Sequence, residues 1–245
     1  MHILGIDVGG SGIKGAPVDT ETGQLLAERL RIKTPKKGEP EPIAEVVNQI
    51  AQSFNWKGPI GIGFPAPIKG GVVLMAANVS EKWVSTNADV LFTKVTDCDC
   101  TMINDADAAG LAEMAFGAGR GQPGTVIMLT LGTGIGSAIF YSGQLLPNTE
   151  FGHLQIDGED AEFRASALAR ERENLSWPKY AKRLNKYLKT LEKLFWPNLF
   201  IIGGGISKES EKFLPLLTVE THVVPADLLN EAGIVGAALG AKGLL

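Results

Sequence analysis

The chain has only two cysteines, Cys98 and Cys100, in 245 residues. They are too few for a four-ligand zinc site and too close for an ordinary disulfide, so both are expected to be free thiols in a reducing compartment. An excess of positive charge is also lacking. There are 23 basic and 27 acidic residues, a net charge of −4, which excludes a global field for gripping nucleic acid or an acidic membrane. No apolar run reaches the roughly 18 residues of a membrane span, and Met1-His2-Ile3-Leu4-Gly5 lacks the basic stretch and apolar core of a secretion signal. Histidine is scarce, with three in all. Only His153 lies in a polar loop that contains glycine; His2 and His222 fall in strand-like segments.

Glycine, by contrast, is abundant. The 30 glycines make up about 12% of the chain, against a usual value of about 7%, and they are clustered rather than periodic. Such clusters suit tight turns and close approach of backbone to a ligand. With 44% hydrophobic and 20% charged residues the chain can bury a core, as one large domain or two smaller ones.

Residues 2 to 18, HILGIDVGGSGIKGAPV, alternate apolar and small residues on both sides of a glycine turn, the pattern of a β-hairpin. A second hairpin is expected through Thr22-Gly23-Gln24-Leu25-Leu26. Residues 126 to 146, VIMLTLGTGIGSAIFYSGQLL, repeat the plan. Gly9-Gly10-Ser11-Gly12-Ile13 answers Gly132-Thr133-Gly134-Ile135, and Gly23-Gln24-Leu25-Leu26 recurs as Gly143-Gln144-Leu145-Leu146. The offset of 120 to 123 residues, half the chain, argues for two related domains that face each other, each supplying one glycine loop. Chance likeness is the competing explanation, since hairpin turns favour glycine.

Helical spacing marks residues 42–54, 178–195 and the small-residue segment 231–242, while 60–64, 101–103 and 199–202 read as strands. Asp105 or Asp107 is expected to cap a helix over 106–116. Gly10-x-Gly12-x-x-Gly15 matches a dinucleotide fingerprint by letter. That fingerprint must open a helix, however, and here a return strand is expected before the turn at 19–23. The hairpin is better suited to cradling phosphate with its backbone N–H groups, and Asp7, just before the turn, is placed to hold Mg²⁺ through water.

Residues 164 to 193 hold nine basic and three acidic residues. On the helix over 178–195, Lys179, Lys182, Arg183, Lys186, Lys189 and Lys193 fall within an arc of about 120°, opposite Tyr180, Leu184, Tyr187, Leu188, Leu191 and Phe195. A solvated face is the ordinary explanation. The functional one is a track for a phosphate chain along Lys182, Lys186 and Lys189, with Lys36 and Lys37 as another location.

The ordered set GIDVGGSGIKG, INDADAAG, LTLGTGIG, EFGH, IIGGGIS and AGIVGAALGA resembles the sugar kinases of the ROK (repressor/kinase) family, within the actin/hexokinase/Hsp70 ATPase-fold superfamily. The likeness extends over nearly the whole chain. It implies an α/β fold of two duplicated ribonuclease-H-like (actin-like ATPase) domains with a cleft between them, one formed by 1–106 plus 231–245 and the other by 107–230. The short chain and EFGHLQIDGEDAEF look most like the polyphosphate glucokinases of that family.

By this resemblance Asp105 matches the catalytic base that takes a proton from a sugar hydroxyl; a plain helix cap is its structural alternative. Asn78, Asn104, Glu150, His153 and Glu162 match sugar ligands, each of which could instead be a solvated loop residue. Gly9, Gly10, Ser11, Gly12 and Lys14 belong to the first phosphate loop and Gly132, Thr133 and Gly134 to the second. Gly203 and Gly204 match a loop that lies beside adenosine in nucleotide-using relatives. Most of the family carries a cysteine-rich zinc motif after E-x-G-H. Residues 154 to 175 have no cysteine, so no zinc is expected.

The implied reaction is phosphorylation of the 6-hydroxyl of glucose with Mg²⁺, using polyphosphate or ATP as donor, with closure of the domains excluding water. An ATP-only hexokinase and a non-catalytic sugar-sensing regulator are the alternatives. The regulators of the family carry a DNA-binding region ahead of the sugar domain, whereas here the first strand begins at about residue 2. A homodimer in the cytoplasm, with no nucleic-acid or membrane partner, completes the expectation.

Overall fold

Strands that are apolar at nearly every position suit a sheet covered on both faces, and the centre of the first sheet is built from such segments. The computed structural model describes residues 1–76 and 79–243, which form two compact units, Met1–Phe116 with the segment from Asn230 onward, and Gly117–Leu229.

In the first unit, β1 (His2–Val8), β2 (Ile13–Asp19) and β3 (Leu30–Ile32) form an antiparallel meander. Helix α1 (Pro40–Ser53) follows and buries Ile43, Val46, Val47 and Ile50, the 3.6-residue stripe of its sequence. β4 (Ile60–Phe64) runs parallel to β1. A short ribbon of β5 (Ile68–Lys69) and β6 (Val72–Val73) leads to α2 (Ala88–Thr96), capped by the Asn87 side chain on Val90 N–H at 3.1 Å. β7 (Cys100–Asn104) closes the sheet, whose order is β3-β2-β1-β4-β7, and runs directly into α3 (Asp105–Phe116).

The second unit repeats this plan. β8 (Thr125–Leu131), β9 (Ile135–Tyr141) and β10 (Gln144–Leu146) form the antiparallel meander. The ribbon of β11 (Gln155–Ile156) and β12 (Glu159–Asp160) precedes the short helices α4 (Glu162–Ala165) and α5 (Ala167–Arg172) and the long α6 (Trp177–Phe195). β13 (Leu199–Gly203) and β14 (His222–Pro225) complete a sheet of order β10-β9-β8-β13-β14. Order and strand directions match the first sheet position by position, so the sequence duplication is a duplication of topology. Helix α6 buries Tyr180, Leu184, Tyr187, Leu188 and Leu191 and exposes its lysines. Phe195, expected on the apolar face, lies at its rim and packs on Phe151 with ring centroids 5.1 Å apart.

Helix α7 (Ala232–Ala241) returns to the first unit, where it packs on β1, β4 and α3. Its approach is set by missing side chains. A Cβ at Gly61 would overlap the carbonyl of Ala237, and one at Gly236 would overlap the carbonyl of Ala108 in α3. Helix α3 therefore lies whole in the first unit rather than being divided at 106. Cys98 and Cys100 are buried free thiols in this unit, and burial pushes Cys100 up to about 11.

Candidate active site

In the first unit the β1–β2 register sets Asp7 opposite Lys14, and the β2–β3 register sets Lys14 opposite Arg31. Lys14 Nζ lies 3.3 Å from Asp7 Oδ2. Between the strands, Gly9 N–H closes the turn on Gly12 O at 3.2 Å, leaving Gly10 and Ser11 exposed at its tip. Because β2 returns as a strand, the literal dinucleotide fingerprint has no helix to open. Arg31, which sequence reasoning missed, donates to Ser11 O at 3.0 Å and occupies the space a Cβ at Gly12 would need. Its only sequence signal is its place in a third strand paired with Lys14. A cavity of about 230 Å³ adjoins Gly9 and Gly10 and is bordered by Thr34, Lys36, Lys37 and Ser80.

The helix cap at the carboxyl end of β7, the same end of the parallel strands as Asp7, differs from expectation. The cap of α3 is Asn104, whose Oδ1 accepts the N–H groups of Ala106 at 2.9 Å and Asp107 at 3.1 Å. Asp105 and Asp107 lie inside the first turn, after the point where a cap must act. Asn104 is buried, and its amide nitrogen donates to Ala66 O at 3.3 Å, which leaves one N–H for any ligand. Asp105 follows directly at the helix start and is half-buried. Asn78 lies outside the described residues.

In the second unit the turn after β8 closes by Gly132 N–H on Gly134 O at 3.0 Å, with Thr133 exposed at the tip. Glu162, at the start of α4, accepts the Ile135 N–H at 3.3 Å, and its carboxylate fills the place a Cβ at Gly134 would take. Glu150 and the 3₁₀ turn Phe151–His153 lie beside it. Gly152 is seated against Ile135 O and Glu162, so this short turn packs on the glycine loop itself. Burial raises the Glu150 carboxyl, with Glu162 adding to the shift and His153 opposing it.

His153 Nδ1 pairs with Asp160 Oδ2 at 2.9 Å, and this hydrogen bond, against burial, holds the imidazole above its usual value. Asp160 was also missed by sequence reasoning; the β11–β12 ribbon brings it back beside His153. His153, Asp160 and Glu162 offer donor atoms within 4.8 Å of one another, the arrangement among the described residues that could hold a metal ion. The pairing of Nδ1 with Asp160 instead leaves Nε2 for a ligand hydroxyl.

Gly204 has φ of +82° and ψ of 178°, a conformation close to glycine-only, and a Cβ there would overlap the Leu131 backbone. The glycine run after β13 is thereby pressed onto the end of β8. A cavity of about 620 Å³ opens between Gly132-Thr133 and Gly205-Ile206, with Arg170, Trp177 and Lys212 in its walls. The Arg170 guanidinium lies 3.7 Å over the Trp177 indole, which also stacks with Phe213.

Two sheets of one topology, each opening on a glycine turn, place the molecule in the actin-like ATPase fold. The model of the ROK family matches residues 3–167, and the chain belongs to that family. It is 49% identical over 239 residues to a polyphosphate glucokinase of Mycobacterium tuberculosis, covering 97% of this chain and 90% of that one. The inorganic polyphosphate/ATP-glucomannokinase of Arthrobacter sp. strain KM superposes with a TM-score of 0.95 at 50% identity, covering 100% of this chain and 99% of that one. A ROK family glucokinase from Streptomyces griseus, solved with glucose and AMPPNP, superposes with a TM-score of 0.85 at 25% identity, covering 99% of this chain and all of that one.

Proposed function

We propose that this chain is a kinase that transfers the terminal phosphoryl group of polyphosphate, and of ATP, to the 6-hydroxyl of glucose. The observation that carries this reading is the group Glu150, His153, Asp160 and Glu162 packed on the second glycine turn, in a chain 49% identical to a polyphosphate glucokinase.

Asp105 accepts the proton of the 6-hydroxyl as that oxygen forms its bond to the terminal phosphorus. The bond from that phosphorus to the rest of the donor breaks, and the donor leaves one phosphate shorter. Glu150, His153 and Glu162 hold ring hydroxyls by charge-assisted hydrogen bonds, with His153 presenting Nε2. Asn78 and the remaining N–H of Asn104 are further sugar contacts. Gly9, Gly10, Ser11, Gly12 and Lys14 receive donor phosphates at one turn and Gly132, Thr133 and Gly134 at the other. The cavity bordered by Gly205, which follows Gly203 and Gly204, takes the adenosine of ATP. Lys182, Lys186 and Lys189 guide the longer donor.

Asp7 suits Mg²⁺. Its partly exposed carboxylate is engaged through Oδ2 by Lys14 at 3.3 Å, and an ion that keeps most of its water needs few protein ligands when phosphates supply the rest. Bound there through water, the ion would neutralise donor charge. Exclusion of water from the reacting groups would suppress hydrolysis of the donor.

The test is purified protein with glucose and Mg²⁺, assayed separately with ATP and with polyphosphate for glucose 6-phosphate. Absence of product with both donors would refute the reading. Light scattering of the same sample reports on the proposed homodimer. Among the described residues no helix is long and apolar enough to cross a membrane; the location proposed with this activity is the cytoplasm.

A further inference from the structure

A second cavity in the Gly117–Leu229 unit, of about 450 Å³, lies between α6 and the segment from β11 to α4. Its floor is apolar, from Ile156, Ala161, Ala165, Leu175 and Tyr187, while Arg164, Lys179, Lys182, Arg183 and Lys186 surround it with a single carboxylate, Asp157. Three of these cations are already engaged. Arg183 pairs with Glu173, Lys186 with Asp157, and Arg164 lies 3.9 Å from Asp157 and 3.7 Å from Glu159. Lys179 and Lys182 have no ion pair among the described residues. Lys189 and Lys193, on the same helix, are not in its walls.

The charge on α6 is thus not used as a uniform stripe. Part of it is gathered around a concavity, where low-dielectric walls concentrate the field. The cavity is distinct from the glycine turn. On α4 Glu162 reaches the turn through Ile135, and at 100° per residue Arg164 points to nearly the opposite side, where it borders the cavity.

We infer that this cavity anchors a distal stretch of a long polyphosphate chain while the chain's reacting end is held at the glycine turns. The inference rests on the reading that polyphosphate is the donor. Lysine ammonium groups on flexible stems suit such a ligand, since they meet phosphate as point charges without demanding one orientation. A site set apart from the reacting end rewards only chains long enough to reach it, so the signature is dependence on chain length. The cavity shares Lys182 and Lys186 with the track along the helix face and adds Arg164 and Lys179, while Lys189 lies outside its walls.

The experiment compares K179Q and K193Q, which remove equal charge from one helix inside and outside the cavity, together with the double variant K179Q/K182Q. The readouts are KM for long polyphosphate and for tripolyphosphate at low salt. The double variant should raise the long-chain KM relative to the tripolyphosphate KM roughly tenfold and flatten its dependence on salt, because fewer counterions are released per chain bound. K193Q should leave that ratio within about twofold. Equal effects of K179Q and K193Q, or an unchanged ratio in the double variant, would overturn the inference.

Titration calorimetry with long polyphosphate, without glucose, separates the cavity from the activity. Binding by the wild type that weakens in K179Q/K182Q supports the anchor even if no phosphoryl transfer from polyphosphate is found. No binding by the wild type at low salt removes the anchor.

Discussion

Asp160 accepts from His153 Nδ1 at 2.9 Å, seven positions further along a segment that the β11–β12 ribbon folds back on itself. The carboxylate fixes the ring's orientation and favours its charged form. Because the folded imidazole titrates above the unfolded value of 6.5, the pairing contributes stability that is full below that pH and is lost as pH rises through the raised value. In Asp160→Asn the His153 titration, followed by NMR, should move down toward its ordinary range. The KM for glucose should rise roughly tenfold, the cost of about one charge-assisted hydrogen bond. An unmoved titration would remove Asp160 as the positioning partner.

Asp105→Asn should lower kcat by about 10²- to 10⁴-fold and leave glucose binding nearly intact, since the amide keeps the shape but cannot take the proton. Calorimetric glucose affinity measured beside turnover distinguishes this from a damaged pocket. Turnover near that of the wild type would exclude Asp105 as the base.

Replacing Glu150 by Gln and His153 by Ala should weaken glucose binding in both proteins, because a sugar held by hydroxyl hydrogen bonds leaves partners unpaired when one is removed. Unchanged glucose affinity in both would place the sugar elsewhere.

Asn104→Ala removes the cap of α3 and leaves Ala66 O without its donor. Urea unfolding should show a loss of about 1–2 kcal/mol, and turnover should fall too, because Asp105 stands on the turn that the cap holds. A stable variant with reduced activity alone would mean that Asn104 acts on the substrate rather than on the helix.

Tyr187 Oη is buried with no hydrogen-bond partner among the described residues, and burial raises its pKa. A hydroxyl buried in this way costs about 1–3 kcal/mol of desolvation. Tyr187→Phe should therefore unfold at equal or higher urea concentration, whereas a clear loss of stability would show that the hydroxyl has a partner in solution, such as a bound water.

The duplicated hairpins were legible because strand alternation and glycine turns are local, and a repeated local pattern survives without any knowledge of packing. The apolar face of α6 was legible for the same reason. Asn104 was harder to place. Asn-Asp at a strand end permits either residue to cap, and the choice depends on which one precedes the helical dihedrals. Asp160 and Arg31 escaped because their roles come from pairing register, which brings Asp160 to His153 and Arg31 to Lys14 across loops whose length says nothing about contact. The basic cavity was hidden because it lies between α6 and a segment whose place cannot be read from helical periodicity.

Helix α7 is separated in the chain from the strands it covers by the whole of the second unit. During synthesis the Gly117–Leu229 unit is finished first, and at about 5–20 residues per second the first sheet waits on the order of ten seconds for its covering helix. Until then the backbone of β4 at Gly61, shaped to meet Ala237, faces no partner, and Asp7 lacks the wall that Gly233 provides. The sheet that carries the first glycine turn is consequently completed only when the last helix of the chain has been made.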